Sequence, residues 1–271
     1  MMKHAYLLYE QQDAEKNGIF IEQVIEAAKK HDIELSLVIT DGIDLNFLDT
    51  TFGEPLFVWN RTRNAQIAKK LELIGIKVFN SSFVNALAND KKNTLQFAQL
   101  QGIPTVPILL DHQIQQYPVI IKTIDGHGGN EVALCKNVDE LTDLQEKWHN
   151  RKTIIQPYIE SNATDVRVWV LGSEIIGTVK RIGGQDFRSN YTLGGTIEKY
   201  ELDAEKREQV KRLQKALKSD YIGIDFLLLP SGDWILNEIE DPVGARSYYE
   251  LYDEFLPSLI IEYFNQQKER A

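Results

Sequence analysis

The sequence of 271 residues has very little cysteine and no long apolar run. Its single cysteine, Cys135, cannot form an internal disulfide, which favours a reducing compartment. The apolar run in the first ten residues is too short for a secretory signal, and no later segment is long enough to span a bilayer. We therefore expect a cytoplasmic protein with no membrane partner.

Positive charge is outnumbered, with 30 Lys and Arg against 40 Asp and Glu. The formal net charge is −10, and the isoelectric point is near 5.1. Nucleic-acid binding depends on clustered positive charge that releases counterions, so a general nucleic-acid partner is not expected. With 43% hydrophobic and 26% charged residues, the composition is that of an ordinary globular protein.

The first 90 residues alternate between strand and helix patterns. Apolar runs at 5–9, 35–39, 56–59 and 77–79 predict strands, and residues 18–28 and 65–73 have apolar positions at helical spacing. This order predicts a small open α/β domain with a parallel sheet. The long connection at 41–55 predicts either an active-site loop or a poorly ordered one.

The pattern changes from about Lys91 onward. We predict a helix that stops at Gly102, a strand start at 103–107, and two strands around a glycine-rich loop. A helix at 138–148 and a strand at 153–156 follow. Further on we predict strands at 166–171 and 175–181, a helix at 204–217, two acidic strands and a final helix at 251–267.

The two acidic strands are the most informative feature. Side chains alternate along a strand, so Glu238 and Glu240 point to one face, and Asp225 on the neighbouring strand can add a third carboxylate. A divalent cation such as Mg²⁺, bound through oxygen ligands, would relieve their mutual repulsion. A solvated edge strand with acidic residues is the alternative.

The glycine-rich loop follows a strand that ends in a lysine, Lys122. The loop, 125–130, contains Gly126, Gly128 and Gly129, which let backbone N–H groups approach an anion closely. It lacks the closing Lys-Ser/Thr of a P-loop. A phosphate-binding loop and a plain turn are both open readings of this segment.

Several short segments together carry a resemblance over nearly the whole chain. In order they are NDK at 89–91, VIIK at 119–122, IQPYI at 155–159, DVRV at 165–168, DFRSN at 186–190 with GG at 194–195, and EIE at 238–240. The sequence resembles ATP-grasp ligases of the RimK-type branch, which includes glutamate ligases. One departure is Glu240, where that branch usually has asparagine.

The resemblance implies a fold class and a function. The fold would be ATP-grasp, with an N-terminal open α/β domain at 1–89, a small lobe at 90–158 and a large lobe, α+β in character, at 159–271. The function would be an ATP- and Mg²⁺-dependent ligation of a carboxylate to an amine, with Mn²⁺ able to replace Mg²⁺. Substrates would be small molecules or a peptide or protein C-terminus, and a homo-oligomer is left open.

The resemblance also assigns residues to the nucleotide. Lys91 and Lys122 would contact phosphates, and the segment that contains Gln156, Tyr158 and Ile159 would bind adenine. Glu160 or Asp165 would accept from the ribose. For Asp165, an ion pair with Arg167 is an equally good reading from the residues.

The loop after Arg181 is polar and glycine-rich. The resemblance places Arg188 at the developing acyl phosphate, since a guanidinium can present a planar fork to an anion, and assigns Asn190 to acceptor or metal-side contacts. Arg181, at the end of the preceding strand, points into the same region and is a candidate for nucleotide binding. An exposed surface arginine is the alternative for Arg188.

The substrate site is less well defined by the sequence. Arg61 and Arg63 follow a strand of the predicted parallel sheet, where ligands bind. They are candidates for a substrate carboxylate, as is Arg246. A helix start capped by Thr62 or Asn64 is the structural alternative. A kinase of the same superfamily and a non-catalytic ATP-binding module are the alternative functions.

Overall fold

Three β-sheets form the framework of the protein in a computed structural model that describes residues 3–129, 131–183 and 195–267. The first sheet is parallel and has the order β2-β1-β3-β4. Its strands are β1 (Lys3–Tyr9), β2 (Ile33–Ile39), β3 (Val58–Asn60) and β4 (Val78–Phe79). The open α/β arrangement predicted for this part of the chain is confirmed.

The helices of this region are short, and most of them pack one apolar face on the sheet. They are α1 (Gln11–Lys16), α2 (Gly18–Lys29), α3 (Leu48–Phe52), α4 (Ala65–Leu73) and α5 (Ser82–Ala88). Helix α3 lies within the connection at 41–55, and its Leu48 and Phe52 are buried against Leu8 and Val58. The reading of this connection as a poorly ordered loop is therefore wrong, and its reading as an active-site loop stays a prediction.

The second sheet is antiparallel and small, with the order β6-β5-β7. Its strands are β5 (Val119–Thr123), β6 (Val132–Cys135) and β7 (Thr153–Pro157), and helix α7 (Val138–Lys147) precedes β7. The strands predicted on either side of the glycine-rich loop are confirmed. Cys135 is fully buried among apolar side chains, and this burial raises the pKa of its thiol.

The third sheet is antiparallel, with the order β10-β9-β8-β11-β12. Its strands are β8 (Thr164–Leu171), β9 (Glu174–Ile182), β10 (Thr196–Lys199), β11 (Tyr221–Leu228) and β12 (Trp234–Glu240). Helices α6 (Lys91–Leu100) and α8 (Ala204–Leu217) contribute Leu95 and Leu213 to the hydrophobic core beside this sheet.

Two sequence predictions in this half of the chain are wrong. Residues 103–107 form a single bridge, Thr105 to Leu236, and not a strand. Pro104 and Pro107 lack the N–H groups that a strand ladder needs. The final helix, α10 (Leu256–Gln267), begins five residues later than predicted, after the separate short helix α9 (Arg246–Tyr249).

Helix α10 packs against the first sheet although it lies far from it in sequence. Phe264 is fully buried, stacks on Phe79 with ring centroids 4.0 Å apart, and meets Trp59 at 5.1 Å. The core of the N-terminal sheet therefore contains a side chain from the C-terminal region. The domain limits at 89/90 and 158/159 remain a prediction.

Helices in the described ranges are all too short or too polar to cross a membrane.

Candidate functional site

Three carboxylates meet at the end of strands β11 and β12. One oxygen from each of Asp225, Glu238 and Glu240 lies within 4.8 Å of the others. Asp225 pairs directly with Glu238 across the two strands, and Gly223 pairs with Glu240. A β-bulge places Asn237 as an extra residue of β12 next to this cluster, and bulges of this kind re-aim neighbouring side chains. The structure thus brings the three predicted acids together.

Two buried arginines, Arg167 and Arg181, contact the carboxylates of this cluster. Arg167 Nε lies 2.7 Å from Asp225 Oδ1, and its terminal nitrogen lies 2.6 Å from Asp225 Oδ2 and 2.6 Å from Glu240 Oε1. Arg181 makes a bidentate pair with Asp165 at 2.6 and 2.7 Å and also reaches Asp225 Oδ2 at 2.8 Å. Alternation along antiparallel strands places all these side chains on one face of the sheet.

The arginines change the protonation of the acids they contact. Burial alone would raise the pKa of Asp225, but Arg167 and Arg181 hold it at about 2. Glu240 behaves in the opposite way. Burial and the negative charges of Asp225 and Glu238 raise its pKa, and Arg167 opposes them only in part. Asp225 therefore has a low pKa, whereas Glu240 has a raised pKa that a bound cation would lower.

Two lysines approach the cluster from another direction. Lys91, at the start of α6, donates to the Gly126 carbonyl and lies 3.7 Å from Glu238 Oε2. Lys122, on β5, donates to Asn237 Oδ1 at 2.7 Å. Both residues are 9% exposed. Burial, with the positive charge of Lys91, lowers the pKa of Lys122 to about 8, while Glu238 opposes this change.

The glycine-rich loop is tied to the rest of the small sheet by charged side chains. Arg151 bridges Asp125 at 2.8 Å and Glu131 at 2.7 Å, and Thr123 Oγ1 donates to Glu131 at 2.9 Å. Gly126 packs closely against this group. A Cβ at position 126 would lie 2.8 Å from Glu131 Oε2 and nearer still to Thr123 Oγ1. Glycine is therefore required there for steric reasons.

Gly128 and Gly129 have a different reason to be glycine. Their φ angles are +67° and +76°, in the left-handed region that L side chains rarely adopt. This conformation turns the loop at the point where the sequence predicts phosphate contacts. The roles of these glycines toward phosphate remain a prediction.

The predicted adenine segment ends strand β7. Gln156 is buried and donates to the Val106 carbonyl at 3.2 Å, so its side chain holds the segment in place. The N–H of Tyr158 donates to the Pro118 carbonyl at 3.3 Å. The contacts of Tyr158 and Ile159 with adenine stay predictions. Glu160 is exposed, and its side chain accepts from the N–H of Asn162 at 3.0 Å.

Asp165 forms an ion pair with an arginine, one of the two readings we considered for it, but the partner is Arg181 and not Arg167. Its carboxylate is buried beneath the acidic cluster. The ion pair holds Asp165 in place, and the roles of Glu160 and Asp165 toward the ribose stay predictions.

The three substrate candidates have different surroundings. Arg61 is 5% exposed, lies over the ring of Trp59 and donates to the Val243 carbonyl at 3.0 Å. Arg63 is partly exposed and pairs with Asp13 at 2.7 Å. Arg246 is exposed. The alternative that placed a helix start here also holds, because Asn64 caps α4.

Arg188 and Asn190 lie outside the described residues. Sequence reasoning missed Arg167 as part of the site, although its spacing from Asp165 signals a shared strand face. It also missed Asn237, whose position depends on a bulge that the sequence does not announce.

The donor set suits a hard divalent cation. All three converging groups are carboxylates, which Mg²⁺ prefers, and the side chains of Glu238 and Glu240 remain about 29% exposed. Three carboxylates and two lysines that converge beside a glycine-rich loop are the groups that a nucleotide site of the ATP-grasp class would need.

Comparison with known proteins places the chain within that class. A model of the RimK-like ATP-grasp domain matches residues 84–251, more than half of the sequence. The chain belongs to the RimK-like ATP-grasp family, and its structural relatives are ATP-grasp ligases.

Three relatives illustrate the range of similarity. The chain is 28% identical to Uncharacterized protein MG011 of Mycoplasma genitalium over 253 residues, covering 92% of this chain and 88% of that protein. It is 28% identical to Probable alpha-L-glutamate ligase 1 of Shewanella sp. (strain MR-4), covering 74% and 71%. The D-alanine–D-alanine ligase structure from Bacillus anthracis aligns with a TM-score of 0.78 at 15% identity, over 100% of this chain and 98% of that one, and shows the shared fold.

Proposed function

We propose that the protein is an ATP- and Mg²⁺-dependent ligase that activates a carboxylate as an acyl phosphate and then joins it to an amine. The observation that carries this proposal is the meeting of Lys91 and Lys122 with three carboxylates at one cleft. The cationic side chains suit the phosphates, and the carboxylates suit the metal. Family membership supports the use of ATP.

The chain's own residues would act by positioning and by charge. Lys122 is held by Asn237, and Lys91 by Gly126, so both ammonium groups are fixed before a nucleotide arrives. Pre-positioned charges avoid reorganisation during the reaction. Bound Mg²⁺ would supply charge neutralisation at the phosphate oxygens, held by Glu238 and Glu240 with Asp225 at the base.

The proposed reaction conserves every atom. The substrate carboxylate oxygen attacks the γ-phosphorus of ATP, which forms the acyl phosphate and releases ADP. The amine nitrogen then attacks the acyl carbon, the C–O bond to phosphate breaks, and the products are an amide, phosphate and a proton. Arg188 and Asn190 remain the proposed residues for the transferring group.

Substrate identity is the open part of the proposal. Because the Shewanella relative is described as a probable glutamate ligase, glutamate is the first substrate to test. The partly exposed Arg63 and the exposed Arg246 remain proposed contacts for a substrate carboxylate, with Arg61 as a third whose position is fixed by its buried contacts.

The test is an ADP-release screen over pooled amino acids and dipeptides, with glutamate in one pool. A ligase should release ADP only when a carboxylate and an amine are both present, and mass spectrometry should detect the amide. Glu238→Gln should abolish turnover, and Glu22→Gln, at an exposed position of α2, should leave it unchanged. A stable phosphorylated product would instead establish a kinase.

A further inference from the structure

Asp241 directly follows the last residue of β12 and is almost fully buried, with 4% exposure. Its Oδ1 accepts from the side-chain amide of Asn80 at 3.0 Å, and its Oδ2 accepts from that of Asn85 at 2.9 Å. Its carbonyl oxygen accepts from the side-chain amide of Asn89 at 2.7 Å. Three asparagines thus fix both the side chain and the main chain of Asp241.

All three asparagines come from the segment 80–89, which spans the end of β4 and helix α5. They are held firmly by other contacts. Asn80 also donates to the Tyr221 carbonyl at 2.8 Å and accepts from the Tyr221 N–H at 3.1 Å. Asn85 also donates to the Thr62 carbonyl at 3.0 Å. The segment is therefore a rigid support and not a mobile surface.

The contact matters because of where β12 ends. Glu240 is the last residue of the ladder and pairs with Gly223, so beyond it β11 no longer fixes the chain. The next fixed point is Asp241, and its three bonds lead to the segment 80–89. A buried carboxylate is costly unless it is hydrogen-bonded, so a placement of Asp241 that breaks these bonds is strongly disfavoured.

We infer that Asp241 is a positioning residue through which the segment 80–89 sets the placement of Glu240 relative to Glu238, and thereby the affinity of the metal site. This inference rests on the proposed metal role of those two glutamates. The hydrogen bonds between Asp241 and the segment 80–89 would then serve metal binding as well as packing. Residues that orient metal ligands commonly affect affinity although they do not touch the metal.

The experiment titrates the purified full-length protein with Mn²⁺ and follows the free-ion signal by electron paramagnetic resonance, with thermal unfolding measured on the same samples. Asp241→Asn places an amide against the amide donors of Asn80 and Asn85. It should weaken Mn²⁺ binding about tenfold or more. Asn85→Ala should weaken it in the same direction, and the double variant should lose less than the sum of the two single effects.

The matched control is Asp220→Ala. Asp220 is a partly buried carboxylate at the same contact; its N–H donates to Asn80 and its Oδ1 accepts from the Tyr263 hydroxyl at 3.0 Å. This variant should keep wild-type Mn²⁺ affinity, whatever the change in its unfolding temperature. A purely structural role for Asp241 would make the two variants behave alike.

The outcomes separate the inference from the proposal beneath it. Wild-type Mn²⁺ affinity in Asp241→Asn, together with lost affinity in Glu238→Gln, overturns the role of Asp241 and leaves the metal site intact. Unchanged affinity in Glu238→Gln, or no Mn²⁺ binding by the wild type, overturns the metal site and the inference together. An equal loss of Mn²⁺ affinity in Asp220→Ala and Asp241→Asn would also overturn the positioning role of Asp241.

Discussion

Replacing Arg167 with methionine should destabilise the protein strongly. Methionine keeps an unbranched stem of similar length but removes the cation that contacts Asp225 at 2.6 and 2.7 Å and Glu240 at 2.6 Å. The Arg167 and Asp225 side chains are only 10% and 3% exposed, so water cannot replace the lost partner. Breaking a buried pair by removing one member costs roughly 3–5 kcal/mol.

The lower part of that range applies here because Arg181 also contacts Asp225 at 2.8 Å and keeps part of the compensation. A loss of about 3 kcal/mol corresponds to a fall of roughly 6–12 °C in the midpoint of thermal unfolding for a protein of this size. Circular dichroism at neutral pH would measure it. Arg246→Met, at an exposed arginine, is the control and should shift the midpoint by no more than about 2 °C.

A second variant tests the cause of the loss. Adding Asp225→Asn to Arg167→Met removes the carboxylate that was left without its main partner, so the double variant should be more stable than Arg167→Met alone. An Arg167→Met protein with the same midpoint of thermal unfolding as the wild type would refute the reasoning. So would a double variant that loses the sum of both single effects.

Three further predictions concern the glycine-rich loop, the buried lysine and a buried acid. Gly126→Ala should weaken ATP binding measured by calorimetry and cost about 1–3 kcal/mol of stability, because its Cβ would displace Glu131; normal affinity would contradict the packing argument. The pKa of Lys122 is lowered to about 8, and phosphate charge should raise it again, so ATP binding at pH 8 should be accompanied by uptake of roughly half a proton. Calorimetry would detect this uptake as a binding enthalpy that depends on the buffer, and Lys122→Ala should remove that dependence. Burial raises the pKa of Asp220 to about 6 from an ordinary 3.8, so its stabilising contribution is complete below about pH 4 and is lost as pH rises through 6. Asp220→Asn should therefore flatten the pH dependence of urea unfolding between pH 4 and 6, by up to about 3 kcal/mol; an unchanged slope would exclude Asp220 as its source.

Local periodicity accounts for what could be predicted from the sequence. The alternation of side chains along a strand is enough to place Glu238 and Glu240 on one face, and helical spacing is enough to find α4 and α8 at their observed bounds. Both signals depend only on neighbouring residues. The family resemblance adds the order of the segments, which no single motif provides.

Contacts between distant segments could not be predicted in this way. The pairing of Asp165 with Arg181 depends on the register between β8 and β9, and a change of register would offer Arg167 a different partner. The position of Asn237 depends on a bulge. Proline explains the wrong strand at 103–107, since apolar character there reports burial and not ladder formation.

The packing of α10 on the first sheet has a consequence for how the protein is made. Phe264 lies between Phe57, Phe79 and Trp59 in the core of the N-terminal sheet. During synthesis these aromatic rings leave the ribosome long before Phe264 exists, so the nascent N-terminal region must wait with an apolar surface uncovered. Domains of a growing chain usually fold in order from the N-terminus, and exposed apolar surface in that interval favours aggregation or chaperone binding. In this protein the core of the first sheet is therefore completed by a helix that is translated much later than the strands it covers.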